Sequence, residues 1–341
     1  RVNYARLCRE VPLTRDAQAH YYVYSLRLGD HVQTGVVSAA AVDDYDSEVI
    51  RKHERTRQDK EDDRTRHIMA LRSQTGPVFL TYRDNATVDA ICAAVMQTPA
   101  LFDFTANDGV SHTGWRVPQE RTEALRAAFG AIPNLYIADG HHRAASASRT
   151  RAAFRQETPD LPATAECNGF LAVAFPASQL RILPYNRLVV DLHGLSADDF
   201  LKAIESTPFA LTAGASPTPT GPGEVSMALA GQWYRLRWTG STAGLSPADC
   251  LDVSLLQDHV LRPLLGIDDP RTSKRIDFVG GIRGTDELLR RIASGKAAVA
   301  FSMYPTTVEQ LMAISDADQI MPPKSTWFEP KLRDGLFIHD L

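Results

Sequence analysis

The chain has 341 residues, long for a single core, so two or three domains are expected. Hydrophobic residues at 44% and charged residues at 23% match an ordinary globular protein. The net charge of -4 argues against non-specific nucleic-acid binding, and no apolar run approaches membrane-spanning length. With no signal-peptide pattern at the start, a cytoplasmic protein with neither nucleic acid nor membrane as partner is expected. Cys8, Cys92, Cys167 and Cys250 are scattered and form no C-x-x-C pair, which predicts reduced, buried thiols and no zinc site. Position one is Arg rather than Met, which predicts further residues upstream.

In chain order, Tyr21 to Leu28 and Val32 to Ala41 are β-prone runs joined by a hairpin turn at Leu28-Gly-Asp-His31. The most highly charged stretch follows, from Asp43 to Arg64. Composition supports equally a solvated helix laced with i,i+4 ion pairs and a functional segment in which Glu54 points into a cleft among Arg57, Lys60 and Arg64. Gly76 to Tyr82 reads as a strand, and Ala86 to Met96 as a helix capped near Asn85. Phe102 to Phe104 and Gly114 to Arg116 flank a turn, and Pro118 to Phe129 is helical.

Leu135 to Ala138 is a short apolar strand broken by Asp139-Gly140, and an Ala-rich helix runs from Arg143 to about Phe154. Asp139, His141, His142 and Arg143 therefore lie on a strand-to-helix turn. Unpaired N–H groups and the positive end of the helix dipole suit such a turn to phosphate or carboxylate. Asp139 is the natural group there to hold a divalent metal or accept a proton, its plainer role being to cap the helix.

Beyond it, Phe170 to Phe175 is β-like, and Leu180 to Val190 reads as a strand pair broken by Pro184. Residues 191–244 are expected to form a small α+β insertion, with a Pro/Gly/Ser/Thr-rich segment at Ala213 to Gly223 and a hairpin after it. Ser246 to Leu265 reads as one long helix that Pro263 kinks or ends. Strands at Ile276 to Val279 and Ala297 to Met303 alternate with a helix capped at Thr285 and a helical run from Thr307 to Ile314. Met321 to Gly335 holds three prolines and no regular element; its Trp and Phe predict an ordered loop packed onto the body. Lys324, Ser325, Thr326, Lys331 and Arg333 in that loop suit an oxyanion.

No Walker A, G-x-G-x-x-G, H-E-x-x-H or G-x-S-x-G sequence is present. The inventory of Lys, Arg, His and hydroxyl groups, with Asp139 and Glu54 as carboxylates, is the one that phosphoryl transfer needs. Ile137-Ala-Asp-Gly-His-His-Arg143 resembles the ADGHHR signature of the domain of unknown function ten-fifteen family. Further matching blocks are Ile50 to Arg57 with Lys60 to Arg64, Gly76 to Tyr82, Ile182 to Val189, Ile276 to Arg283 and Met321 to Leu332. The turn also resembles that of free-serine kinases of the ParB/sulfiredoxin-like superfamily.

The resemblance implies an α+β fold with a ParB/sulfiredoxin-like catalytic core elaborated by a second α+β region. The core is expected over residues 1–190, and residues 245–341 are expected to return the Lys/Ser/Thr loop to the site. It implies a kinase that makes O-phosphoserine from free L-serine, with pyrophosphate as donor and Mg²⁺ near Asp139. By the same resemblance Glu54 is the general base, and His141, His142, Arg143, Lys324, Ser325 and Thr326 hold the donor. Asn186 and Arg187 are weaker candidates for substrate contacts. Ala144 departs from the family, where an aromatic residue is usual. The alternatives are an ATP- or ADP-dependent kinase of another small hydroxyl compound and a non-catalytic regulator that binds a phosphometabolite or nucleotide; a ParB-like DNA-binding module is disfavoured by charge.

Overall fold

The computed structural model describes residues 2–11 and 13–341. The chain divides into two compact units, one made of the chain up to Leu180 together with Pro330–Leu341, the other of Arg181–Glu329.

The first unit opens with α1 (Val2–Glu10), then β1 (Tyr22–Leu28) and β2 (His31–Ala41), an antiparallel hairpin turned by Gly29 in the left-handed region. There follow α2 (Val42–Asp46), β3 (Ile50–Arg51), α3 (Gln58–Leu71), β4 (Ser73–Gln74), β5 (Val78–Tyr82), α4 (Ala86–Val95), β6 (Phe102–Thr105), β7 (Ser111–Arg116), α5 (Gln119–Gly130), β8 (Leu135–Asp139), α6 (His141–Glu157) and β9 (Gly169–Pro176). Eight of these strands form one mixed sheet in the order β3-β8-β5-β9-β2-β1-β7-β6, parallel only at β3/β8 and β5/β9.

Alternation along the strands decides what each sheet face covers. Val78, Leu80 and Tyr82 of β5 pack with Val88, Ile91 and Val95 of α4, Leu125 of α5 and Ala144 and Ala147 of α6 in one continuous core. Phe79, on the opposite face of the same strand, meets Phe175 at 4.8 Å between ring centroids. The expected cap on α4 is present: the Asn85 side chain accepts from the N–H groups of Thr87 and Val88. Asn85→Ala should therefore cost about 1 kcal/mol in urea denaturation, the usual worth of such a cap.

The charged stretch is not one helix. Ile50 is buried and pairs with Leu135 as β3, splitting the stretch into α2, a loop carrying His53 to Arg57, and α3. Its acids fasten α6 across the unit rather than along a helix: Asp43 and Asp46 hold Arg151, and Glu61 and Asp62 hold Arg149.

The second unit holds β10 (Tyr185–Val189), α7 (Ala197–Glu205), β11 (Phe209–Ala213), β12 (Glu224–Leu229), β13 (Gln232–Trp238), α8 (Asp252–Leu256), β14 (Ile276–Gly280), α9 (Asp286–Ala293), β15 (Val299–Met303) and α10 (Val308–Asp316). Its strands make a wholly antiparallel sheet in the order β11-β13-β12-β15-β10-β14. Residues 191–244, expected as a separate insertion, thus supply three strands to the same sheet as β10, β14 and β15. Leu180 to Val190 gives one strand, β10, because Pro184 leaves Ile182 only an isolated bridge to Phe328. The expected helix over Ser246 to Leu265 is also divided. Ser246 caps a single turn through the Asp249 N–H, α8 begins only at Asp252, and a π-helical turn runs from Gln257 to Leu261. Thr307 caps α10 with a reciprocal bond to Gln310.

The proline-rich block is ordered as expected in its second-unit part, where Met321, Ser325 and Phe328 are buried. The closing segment of the first unit ends in β16 (His339–Asp340), paired with β4. Cys92 and Cys167 are buried, but Cys8 is exposed and Cys250 half-buried, so the expectation of buried thiols holds for two of the four. No helix among the described residues is long and apolar enough to cross a membrane.

Candidate active site

Strand β8 ends at Asp139, opposite Phe79 of β5, where a register irregularity between Phe79 and Leu80 locally bends the pairing. Gly140 then turns the chain with φ +100°, a region that favours glycine, and is itself the residue before the first helical turn. Helix α6 starts at His141, two residues earlier than expected, and Asp139 does not cap it: no side chain does. The Arg143 and Ala144 N–H groups bond Gly140 O, which leaves the N–H groups of His141 and His142 at the helix mouth. Asp139 is thereby released for another partner, and its Oδ2 accepts from Lys331 Nζ at 3.0 Å.

Glu54 is brought to this turn from the loop before α3, its Oε2 lying 3.7 Å from Nδ1 of His141. That is too long for a full hydrogen bond. The Glu54 side chain is 59% exposed while that of His141 is 4% exposed, so a solvent-accessible carboxylate stands against a buried imidazole. His53 packs edge-on against His141 with ring centroids 4.4 Å apart, and its N–H faces His141 Nε2 at 3.4 Å. With Nε2 accepting, the proton of His141 sits on Nδ1, directed at Glu54. His142 is fixed in the same way: its Nε2 accepts from the Arg57 N–H at 3.0 Å.

Burial holds both inner imidazoles in their neutral form. His53 is pushed down to about 4 by desolvation, with Asp139 opposing. His141 is held well below the ordinary histidine range by desolvation first, then by His53, His142 and Lys52. Nδ1 of His53 has no hydrogen-bond partner. Arg143 reaches back over the turn, donating from Nη1 to Pro77 O at 2.7 Å, with Nη2 3.8 Å from Asp334.

Glu54, Asp139, His141, His142 and Arg143 thus converge on one turn of the first unit. Among the described residues no three or more His, Cys, Asp or Glu side chains cluster as a metal site. One carboxylate, with its second oxygen not engaged by Lys331, fits an octahedral cation that keeps most of its ligands as water and phosphate, and does not fit an all-protein cage.

The other five candidates lie in the second unit. Arg187 is buried and desolvation lowers it to about 9. Its guanidinium donates to the carbonyls of Tyr185 and Lys324. Asn186 is buried, with Oδ1 accepting from the Met303 N–H at 3.0 Å. Lys324 has φ 59° and places Nζ 5.3 Å from the centre of the Tyr185 ring. Ser325 Oγ donates to Pro322 O, and Thr326 follows in the same irregular segment.

Sequence reasoning passed over His53, whose only signal was its place beside Glu54. It named Lys331 as an oxyanion group, but not its pairing with Asp139 across 192 positions.

The protein belongs to the family described as protein of unknown function, DUF1015, whose model matches residues 1–254. No curated protein matches its sequence. Among solved structures, a C-terminally truncated SbnI from Staphylococcus aureus is 12% identical, with a TM-score of 0.45, over 88% of this chain and 85% of that one. A mutant free serine kinase in complex with AMP is 11% identical, with a TM-score of 0.41, over 86% and 87%. A conserved hypothetical protein from Pyrococcus furiosus is 12% identical, with a TM-score of 0.40, over 88% and 93%.

Proposed function

We propose that this protein is a cytoplasmic small-molecule kinase that phosphorylates the hydroxyl of free L-serine with pyrophosphate as donor, on a ParB/sulfiredoxin-like core. The observation that carries the reading is the approach of Glu54 to the His141 turn: an accessible carboxylate and a set of anion donors meet at a helix N-terminus. The resemblance of the Asp139 to Arg143 block to free-serine kinases supplies the acceptor.

In this reading the serine hydroxyl gives its proton to Glu54 as its oxygen bonds the donor phosphorus. The bridging P–O bond breaks and orthophosphate leaves. The Nδ1–H of His141 orients the carboxylate. The N–H groups at the mouth of α6, His142, Arg143 and Lys331 face the donor oxygens. Lys324, Ser325 and Thr326 are further donors to the phosphate, and Asn186 and Arg187 are assigned to the substrate. Asp139 would hold Mg²⁺, which when bound would neutralise charge on the donor.

Phosphorus NMR of the protein with Mg²⁺ and L-serine, supplied in turn with pyrophosphate, ADP and ATP, should give a phosphoserine resonance with pyrophosphate. A resonance with a nucleotide alone would change the donor. Silence with every donor would overturn the kinase reading.

A further inference from the structure

The sheet of the second unit sets charged and hydroxyl side chains side by side at its β11 edge. Arg235 of β13 stands directly opposite Thr212 on one neighbour and Ser226 on the other. Residues two apart on a strand share a face, so Glu224 joins them from β12. With the loop over residues 214–220 these side chains line a cavity of about 270 Å³.

The loop is held in place at both ends. The Gly214 and Ala215 N–H groups donate to Trp233 O, and the Gly223 N–H donates to Asp252 at 2.8 Å. Thr220 donates to Oε2 of Glu224 from both its N–H, at 3.1 Å, and its hydroxyl, at 2.6 Å. These bonds are the first cause of the lowered pKa of Glu224, so the carboxylate is ionised. Its Oε1 lies 3.8 Å from Arg237, whose side chain is largely exposed.

Arg235 is different. Its Nε is buried without a hydrogen-bond partner. That nitrogen has almost no accessible surface; Arg235 bears on the cavity as one of its lining side chains, a fixed positive charge near the ionised Glu224. A simple anion would meet the ionised Glu224, and a simple cation would meet Arg235. Only a molecule carrying both charges satisfies the two walls together. At about 30 Å³ per water, the volume matches a solute of about nine non-hydrogen atoms.

We propose that this cavity binds a free α-amino acid as its zwitterion, with the carboxylate on Arg235, the ammonium on Glu224 Oε1 and the side chain toward the hydroxyls of Thr212 and Ser226. The site uses second-unit residues only and none of the Asp139 turn, so it stands whether or not the kinase reading does.

Glycine and L-glutamine lack a hydroxyl and cannot serve as phosphoryl acceptors, which makes them the probes. Calorimetric titration of the full chain should show each binding at least about tenfold tighter than acetate or methylammonium. Arg235→Gln and Glu224→Gln should each weaken binding about tenfold or more, the scale of one charge-assisted hydrogen bond. Glu54→Gln should leave it unchanged. On the unmutated protein, hydrogen exchange should slow over residues 214–223 when either amino acid is added, a readout that does not depend on the variants folding. Binding no tighter than that of acetate, binding equal in folded variants, or unchanged exchange in the loop would each overturn the proposal.

Discussion

Glu54→Gln should lower kcat for phosphoserine formation by about a hundredfold to ten-thousandfold, the usual worth of a positioned general base. The same change should shift stability by no more than about 0.5 kcal/mol, because the side chain is largely exposed. The amide keeps the shape of the carboxylate beside Nδ1–H of His141, so what is removed is the capacity to take a proton. Steady-state kinetics and thermal melting on one preparation read the two effects together. A variant with near-normal turnover would deprive Glu54 of its role, and a variant that melts early would show the residue to be structural.

Between about pH 7.5 and about pH 5 the native protein should lose roughly 2 kcal/mol of stability more than a His53→Gln variant does. The sign follows from the depressed pKa. In the unfolded chain His53 titrates at its ordinary value of 6.5; in the folded protein burial holds it at about 4. Between those values the unfolded state binds the extra proton, so stability is full above the unfolded pKa and falls as pH drops toward the folded one. His141 is shifted in the same direction and adds to the fall in both proteins, which is why the variant and not the bare pH profile isolates His53. Urea denaturation at the two pH values measures the difference; equal losses would place a charged His53 in the native state.

Where local chemistry decided the structure, the sequence was readable. Asn85 caps α4 because its side chain satisfies two N–H groups at no tertiary cost, and the Leu28 to His31 turn closes because glycine takes the left-handed conformation. The Asp139 to Arg143 turn was legible for the same reason, though its details were not: Gly140 rather than Asp139 precedes the first helical residue, and the helix takes in both histidines. What local chemistry could not reveal depended on partners far along the chain. Ile50 is a strand residue only because Leu135 is there to pair with it, and the acids around it look like a solvated helix until Arg149 and Arg151 are placed opposite them. The same holds for the site. Four of its side chains are contiguous in the sequence, whereas the approach of Glu54 and Lys331 is a product of the sheet and of the closing segment.

That closing segment has a consequence for biosynthesis. Pro330–Leu341 belongs to the first unit yet leaves the ribosome after the whole of the second. While Arg181–Glu329 is being translated, the nascent first unit waits with β4 unzipped, and Asp139 has no ammonium beside it. The ring of aromatic side chains formed by Tyr22, Tyr24 and Phe102 likewise lacks its last member, Phe337. Until Lys331 has been made the Asp139 turn is thus without its partner: a nascent chain ending within the second unit carries the histidines and Glu54 but not the lysine that sets the carboxylate.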